Sequence, residues 1–160
     1  MYIDESLTAT TLRFSWVIEQ TIAASARPGR YGPLEEHLKY IKESGIRTII
    51  NLCEDPLNFP DGYRSHFEII HVPILDGDAP TPEQLKLVFQ TIDKVMNDHQ
   101  RCLVHCRGGI GRTATVLAPV LVQYKGIGLH EALELLRQSG RRTETMQQFR
   151  FIEEWVASKL

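Results

Sequence analysis

The chain has 160 residues, 42% of them apolar and 24% charged, values that fit one ordinary globular domain spanning residues 1–160. A formal charge of −2 gives no electrostatic reason for a nucleic-acid or membrane partner, and no apolar run approaches bilayer-spanning length. Three cysteines, an odd number, make no disulfide framework, and no signal-like apolar block follows MYIDESLTAT, so a monomeric cytoplasmic protein is expected.

Residues 12–24, LRFSWVIEQTIAA, mix aromatic and β-branched side chains and read as one or two edge strands. SARPGRYGP at 25–33 is turn-rich. Pro33 opens a helix through LEEHLKYIKES, with Leu34, Leu38 and Ile41 on one apolar face and Gly45 as its stop. IRTIINLC at 46–53 is an inner strand, 54–65 a loop, and HFEIIHVPI at 66–74 another strand. Thr81 and Gln84 have capping-box spacing at the head of a helix whose inner face carries Leu85, Val88, Phe89, Ile92 and Val95. CLVH at 102–105 is a short inner strand. TATVLAPVLVQYKG at 113–126 is nearly all apolar and predicts a buried central helix bent at Pro119. Amphipathic helices follow at 129–140 and 145–159, the last turning Phe149, Ile152, Trp155 and Val156 inward. Strands alternating with helices predict an α/β three-layer sandwich, a mostly parallel central sheet flanked by helices. Ligands of such sheets bind beyond the carboxyl ends of the strands.

The segment RCLVHCRGGIGRT at 101–113 lies at such an end. Gly108, Gly109 and Gly111 let the backbone curl, and a curled backbone points its N–H groups at one centre and forms an anion nest. The helix that follows adds dipole field and unpaired donors. Cysteine in such a field loses its proton readily, which makes Cys106 the candidate nucleophile for attack on phosphorus. Arg112 is the candidate phosphate clamp, because a guanidinium holds two oxygens at once and a helix N-terminus is otherwise a poor place for a cation. Thr113 either caps the helix or donates to the Cys106 sulfur. His105 either fixes the loop through a backbone carbonyl or is a satisfied core histidine. A leaving alkoxide or phenoxide needs a proton, and Asp76 is the candidate acid. Asp78 rivals it on spacing, and Asp55 and Asp61 are outsiders in an earlier loop. A metal on Cys102, His105 and Cys106 lacks a fourth ligand and would occupy the thiolate, so no metal or cofactor is expected.

HCRGGIGRT resembles the active-site signature of the cysteine-dependent protein tyrosine phosphatase superfamily: His-Cys, five residues, then Arg-Ser/Thr. SARPG, IRTIINLCED, VPILDGDAP and QQFRFIEEW are similar to the corresponding segments of small dual-specificity phosphatases, so the resemblance covers nearly the whole chain. It implies a tyrosine-phosphatase-like sandwich and a phosphocysteine intermediate on Cys106. It also implies a phosphate loop of Arg107, Gly108, Gly109, Ile110, Gly111 and Arg112. The Pro-x-x-Asp-Gly frame selects Asp76 over Asp78. Gln148 aligns with a glutamine that helps place water, while Glu144 stands where the tyrosine-specific branch has another glutamine. Cys53 matches a cysteine that, in the phosphatase-and-tensin-homologue branch, bridges to the nucleophile on oxidation. The implied substrate is a phosphorylated protein, phosphotyrosine with phosphoserine and phosphothreonine. A phosphoinositide or small phosphomonoester ranks second, because Ile110 is neutral where the lipid-directed branch has lysine. A non-catalytic phosphate-binding module is a further alternative. Arg141 and Arg142 are read either as rim groups favouring an acidic substrate or as a solvated pair.

Overall fold

Residues 5–159 are described by the structure, a computed structural model. In chain order the elements are α1 (Glu5–Leu12), β1 (Ser15–Ile18), β2 (Ile22–Ser25), α2 (Leu34–Glu43), β3 (Thr48–Asn51) and α3 (Asp61–Arg64), then β4 (Glu68–His71), α4 (Pro82–Asn97), β5 (Cys102–His105), α5 (Gly111–Lys125), α6 (Leu129–Gln138) and α7 (Met146–Ala157). The strands form one sheet in the order β1-β2-β5-β3-β4, with β1 antiparallel and the other pairings parallel. This is the expected mostly parallel sandwich.

Alternation along the strands feeds two cores. Ile22, Ala24, Ile50, Cys102 and Val104 point into the core shared with α4, α5, α6 and α7. Ala23, Ile49 and Leu103 point the other way, onto Leu12, Leu38 and Ile41 of α1 and α2. Both faces of β2, β3 and β5 are therefore covered, which explains why these strands read as continuous apolar runs.

Registry sets the site. Ser25 and Asn51 both pair with His105, so the three inner strands end in one row. The chain leaves that row as Ala26, Leu52 and Cys106, which brings three separate loops to one rim.

The helices start as their sequences direct. Pro33 precedes α2, and Thr81 with Gln84 makes the capping box of α4 in both directions. Helix α5 runs unbroken through Pro119, with every side chain from Gly111 to Leu121 buried. Three elements differ from expectation. Of the two strands in the 12–25 segment only β1 lies at a sheet edge, while β2 is fully buried beside β5. The 54–65 segment contains the short helix α3. Residues 5–12 form α1, although ESLTATTL, with its three threonines, has little intrinsic preference for a helix; the burial of Thr8 and Leu12 against α2 supplies the reason. Among the described residues no helix is long and apolar enough to cross a membrane.

Candidate active site

A trans peptide is planar, so a carbonyl turned one way turns the next residue's N–H the other way. Between β5 and α5, five successive carbonyls each have a donor. The Cys106 oxygen accepts from His105 Nδ1 at 3.1 Å, which places the proton on that nitrogen. The Arg107 oxygen accepts from the Arg27 amide at 3.0 Å. The Gly108 oxygen accepts from Arg13 Nη1 at 3.0 Å, and the Gly109 oxygen from Arg141 Nη1 at 2.6 Å. The Ile110 oxygen accepts from the Ala114 amide at 3.0 Å, inside α5. With these carbonyls committed, the amides of residues 107–111 are turned away from those donors, as an anion nest requires. Gly109 is obligatory. Its φ is +76°, and a Cβ there would stand 2.6 Å from the Ser25 carbonyl oxygen.

Cys106 begins this loop and is 3% exposed. Thr113 Oγ1 donates to its sulfur at 3.0 Å, so of the two readings of Thr113 the structure takes the sulfur bond. Arg112 is 2% exposed. Its Nη1 donates to Glu54 Oε1 and, at 2.9 Å, to the Ile74 carbonyl, while its Nε lies 3.8 Å from Asp76 Oδ1. Burial works against the guanidinium charge, but the Glu54 bond and the nearby Cys106 outweigh it and raise the Arg112 pKa. Glu54 is held below the usual carboxylate range by its own backbone amide and by Arg112. His105 is fully buried, and that burial pushes its pKa down to about 4, so the ring is neutral at physiological pH.

A cavity of about 220 Å³ opens over Cys106. Arg107, Gly108, Ile110, Gly111 and Arg112 line it with Asp76, while Gly109, also expected in the phosphate loop, is not in the lining. Arg13, Tyr31 and Glu144 line it too. Arg13 stacks on the Tyr31 ring at 4.3 Å, and the Glu144 carboxylate packs against Gly111. A larger groove of about 730 Å³ lies between α4 and α7 against Phe89 and Trp155, but its lining holds no cysteine and no glycine-rich turn, so size does not select the site.

The two neighbouring aspartates have different surroundings. Asp78 Oδ1 accepts from the Ala79 amide at 2.8 Å, a local turn bond. Asp76 has its carboxylate at the cavity, and its side chain is 77% exposed. Asp55 lies at an adjoining cavity beside Arg27, and Asp61 lies in α3.

Three expectations need restating. Gln148 is fully buried and does not line the Cys106 cavity. Its Oε1 accepts from the Glu144 amide at 2.8 Å and its Nε2 donates to the Asp78 carbonyl at 3.2 Å, so it ties two loops together. Arg141 is neither a rim group nor solvated; it is 2% exposed, because the carbonyls of three distant segments converge on it. Arg142 is exposed and does not line the cavity. Cys53 is a buried free thiol whose pKa is raised by burial, within electrostatic reach of Arg27, Arg112 and Cys106. Cys102, at the opposite end of β5 from Cys106, is pushed up to about 12 by burial. Sequence reasoning left Arg13, Tyr31 and Glu54 unassigned; the one available signal was Glu54, which directly follows Cys53 in NLCED.

A buried cysteine before a glycine-rich turn, an arginine at the head of the following helix and a carboxylate across the cavity, all beyond the carboxyl end of a parallel sheet, agree with membership of the cysteine-dependent protein tyrosine and dual-specificity phosphatase superfamily. Residues 23–126 match the family described as Tc-R-P, "Polymorphic toxin system, DSP-PTPase phosphatase", and the chain belongs to that family. Among curated proteins it is 31% identical to dual specificity protein phosphatase 1-A of Xenopus laevis over 109 residues, 68% of this chain and 28% of that one. It is 23% identical to the PRL-1 phosphatase of Drosophila melanogaster over 124 residues, 76% of this chain and 70% of that one. The chain thus spans little more than a quarter of the first of these relatives. Among solved structures it superposes on Tk-PTP in its active form with a TM-score of 0.76 at 28% identity, covering 89% of this chain and 95% of that one.

Proposed function

We propose that the chain is a protein phosphatase that hydrolyses phosphotyrosine, and phosphoserine and phosphothreonine with it, through a phosphocysteine intermediate. The observation that carries this reading is the Cys106 sulfur, bonded by Thr113 at 3.0 Å and set at the start of a loop whose five carbonyls are all committed to other donors. The Cys106 thiolate attacks phosphorus in line, and the phosphorus–oxygen bond to the leaving group breaks. Asp76 delivers its proton to the departing oxygen. Arg112 and the loop amides hold the three equatorial oxygens as charge spreads onto them. Water then attacks the phosphocysteine, and Asp76, now ionised, takes the water's proton. The phosphorus–sulfur bond breaks and the thiolate returns, with the Thr113 hydroxyl bond favouring it as leaving group. Glu54 and the Ile74 carbonyl keep Arg112 aimed between the two steps. Gln148 supports the second step only indirectly, through the loops that it ties.

The test is an assay over phosphotyrosine, phosphothreonine and inositol-phosphate substrates with Cys106→Ser as control. Turnover of phosphopeptides by the wild-type chain and none by the variant is expected. Normal turnover in the variant would overturn the mechanism, and a preference for inositol phosphates would overturn the substrate. Cys53 is the redox partner we assign to Cys106. Peroxide oxidises the Cys106 thiolate to a sulfenate, and the Cys53 sulfur displaces hydroxide, released as water, to close the disulfide. Mass spectrometry after mild peroxide should find that bridge; a Cys106–Cys102 bridge would exclude it.

A further inference from the structure

Arg141 lies just beyond α6, 2% exposed and outside the lining of the Cys106 cavity. Burying a cation is costly unless it is fully bonded, and among the described residues Arg141 forms no ion pair. Its Nε has no partner among the described residues, and its Nη1 and Nη2 bonds go to oxygens of the chain. Nη1 donates to the Gly109 carbonyl at 2.6 Å. Nη2 reaches the Arg13 carbonyl at 2.6 Å, Ser15 Oγ at 2.8 Å and the Ala24 carbonyl at 3.1 Å. An apolar side chain could fill this space, but only a forked donor ties the anion loop to β1 and β2 at the same time.

The Arg13 contact extends this hold. Arg13 has φ +57°, a left-handed conformation uncommon for a residue other than glycine, and Arg141 holds its carbonyl there. From that position the Arg13 side chain donates to the Gly108 carbonyl at 3.0 Å and covers the Tyr31 ring. Two of the five loop carbonyls thus depend on Arg141, Gly109 directly and Gly108 through the backbone of Arg13. These are the carbonyls whose orientation fixes the amides of Ile110 and Gly109.

We propose that Arg141 is a positioning residue for oxyanion binding, a buried brace that, with Arg13 as its outer arm, turns the Gly109 and Ile110 amides toward a bound phosphoryl group. The proposal rests on the reading of this loop as a phosphoryl site. It assigns to a residue that cannot touch substrate a share of the enzyme's affinity for it.

The experiment measures inorganic phosphate and vanadate affinity, KM and kcat for an aryl phosphate, and thermal melting in Arg141→Lys, Arg13→Ala and the double variant. Lysine keeps the charge but cannot reach Gly109 and Arg13 together. The expected result for Arg141→Lys is an oxyanion affinity about tenfold weaker, with KM raised in step. Arg13→Ala should show a smaller loss, and the double variant little more than Arg141→Lys alone, because both act through the same two peptides. A merely structural arginine would lower the melting temperature and leave oxyanion affinity at the wild-type value; that outcome, or strictly additive losses, overturns the proposal. If Arg141→Lys does not fold, Arg13→Ala decides, and unchanged affinity there overturns it. Wild-type protein that binds vanadate without turning over aryl phosphate would refute the catalytic reading, and the affinity comparison would still decide the brace.

Discussion

The two loops that meet at Arg112 are built on different plans. The anion loop, 106–110, lies on the row where the inner strands end, and all five of its carbonyls are bonded, by α5, by the backbone after β2 and by side chains. Its nucleophile and the arginine that follows are 3% and 2% exposed. The 73–81 loop, which brings Asp76, lies outside the sheet, and its acid side chain is 77% exposed. It is tied at its carbonyls by Gln84 to Pro73, Thr145 to Gly77 and Gln148 to Asp78. The contrast fits the two jobs proposed for these loops. Holding a dianion requires fixed dipoles, whose orientation must be settled before the substrate arrives. Donating one proton requires a carboxyl group that reaches a leaving oxygen on substrates of different shape, and an exposed loop serves that.

The largest effect should come from disturbing the fixed loop. Gly109→Ala places a Cβ 2.6 Å from the Ser25 carbonyl and imposes φ +76° on alanine, so the loop must move. A displacement of about 1 Å in a site of this kind costs about 10²-fold, and kcat/KM should fall by at least that much on every substrate. A variant of normal activity would show that the loop is not held as tightly as the sheet row implies.

The same rigidity has a pH signature. His105 is neutral when folded, with a pKa of about 4 against 6.5 for the free side chain, because burial excludes the charged form. Between those two pH values the unfolded chain binds a proton that the folded chain refuses. The stability tied to this residue is therefore complete above pH 6.5 and is lost as the pH falls through that window, by up to about 3 kcal/mol. Denaturant midpoints at pH 7.5 and 4.5, compared between wild type and His105→Gln, check this. His37 and His66, whose pKa values are also lowered by burial, act alike in both proteins and cancel. An equal pH dependence in the two proteins would remove His105 from the account.

Disturbing the exposed loop should act on proton transfer and leave anion binding alone. Asp76→Ala should slow the first-turnover release of phenol from phenyl phosphate roughly 10²-fold and that of p-nitrophenol from its phosphate far less, since a good leaving group needs no proton, while the later hydrolysis of the phosphocysteine slows equally for both. Vanadate affinity should stay unchanged. Equal losses in the first-turnover release from both substrates would mean that Asp76 does not serve the leaving group.

Much of the anion loop was legible in the sequence, because its parts are consecutive. Gly109 and the helix at Gly111 report backbone requirements that only a few residue types meet. Helices α2 and α4 were legible for the same reason, with Pro33 and the Thr81–Gln84 box marking their starts. What joins distant segments was not legible. The choice between Asp76 and Asp78 needed a resemblance, and its physical basis, the local bond from the Ala79 amide, is visible only in space. Arg141 beside Arg142 looks like a surface pair; its burial depends on carbonyls from residues 13, 24 and 109. The inner position of β2 is a fact of strand order, which local pattern does not encode.

The smallest effect is also the most selective between the two loops. Thr145 Oγ1 accepts from the Gln148 amide at 3.2 Å as the N-cap of α7, and the same hydroxyl donates to the Gly77 carbonyl at 2.7 Å. One side chain thus starts a helix and tethers the acid loop, next to Gly77 at φ +82°. Thr145→Ala should cost about 1 kcal/mol of stability through the lost cap. It should also slow phenyl phosphate turnover a few-fold, on the order of one hydrogen bond, with oxyanion affinity unchanged. Thr145→Ser keeps the hydroxyl and should restore both. If Thr145→Ala lowers the melting temperature but leaves turnover intact, Gln148, Gln84 and the Arg112 bond to Ile74 suffice to hold the loop. If it weakens vanadate binding, the two loops are mechanically joined through the contact of Glu144 with Gly111, and their separate plans hold only at rest.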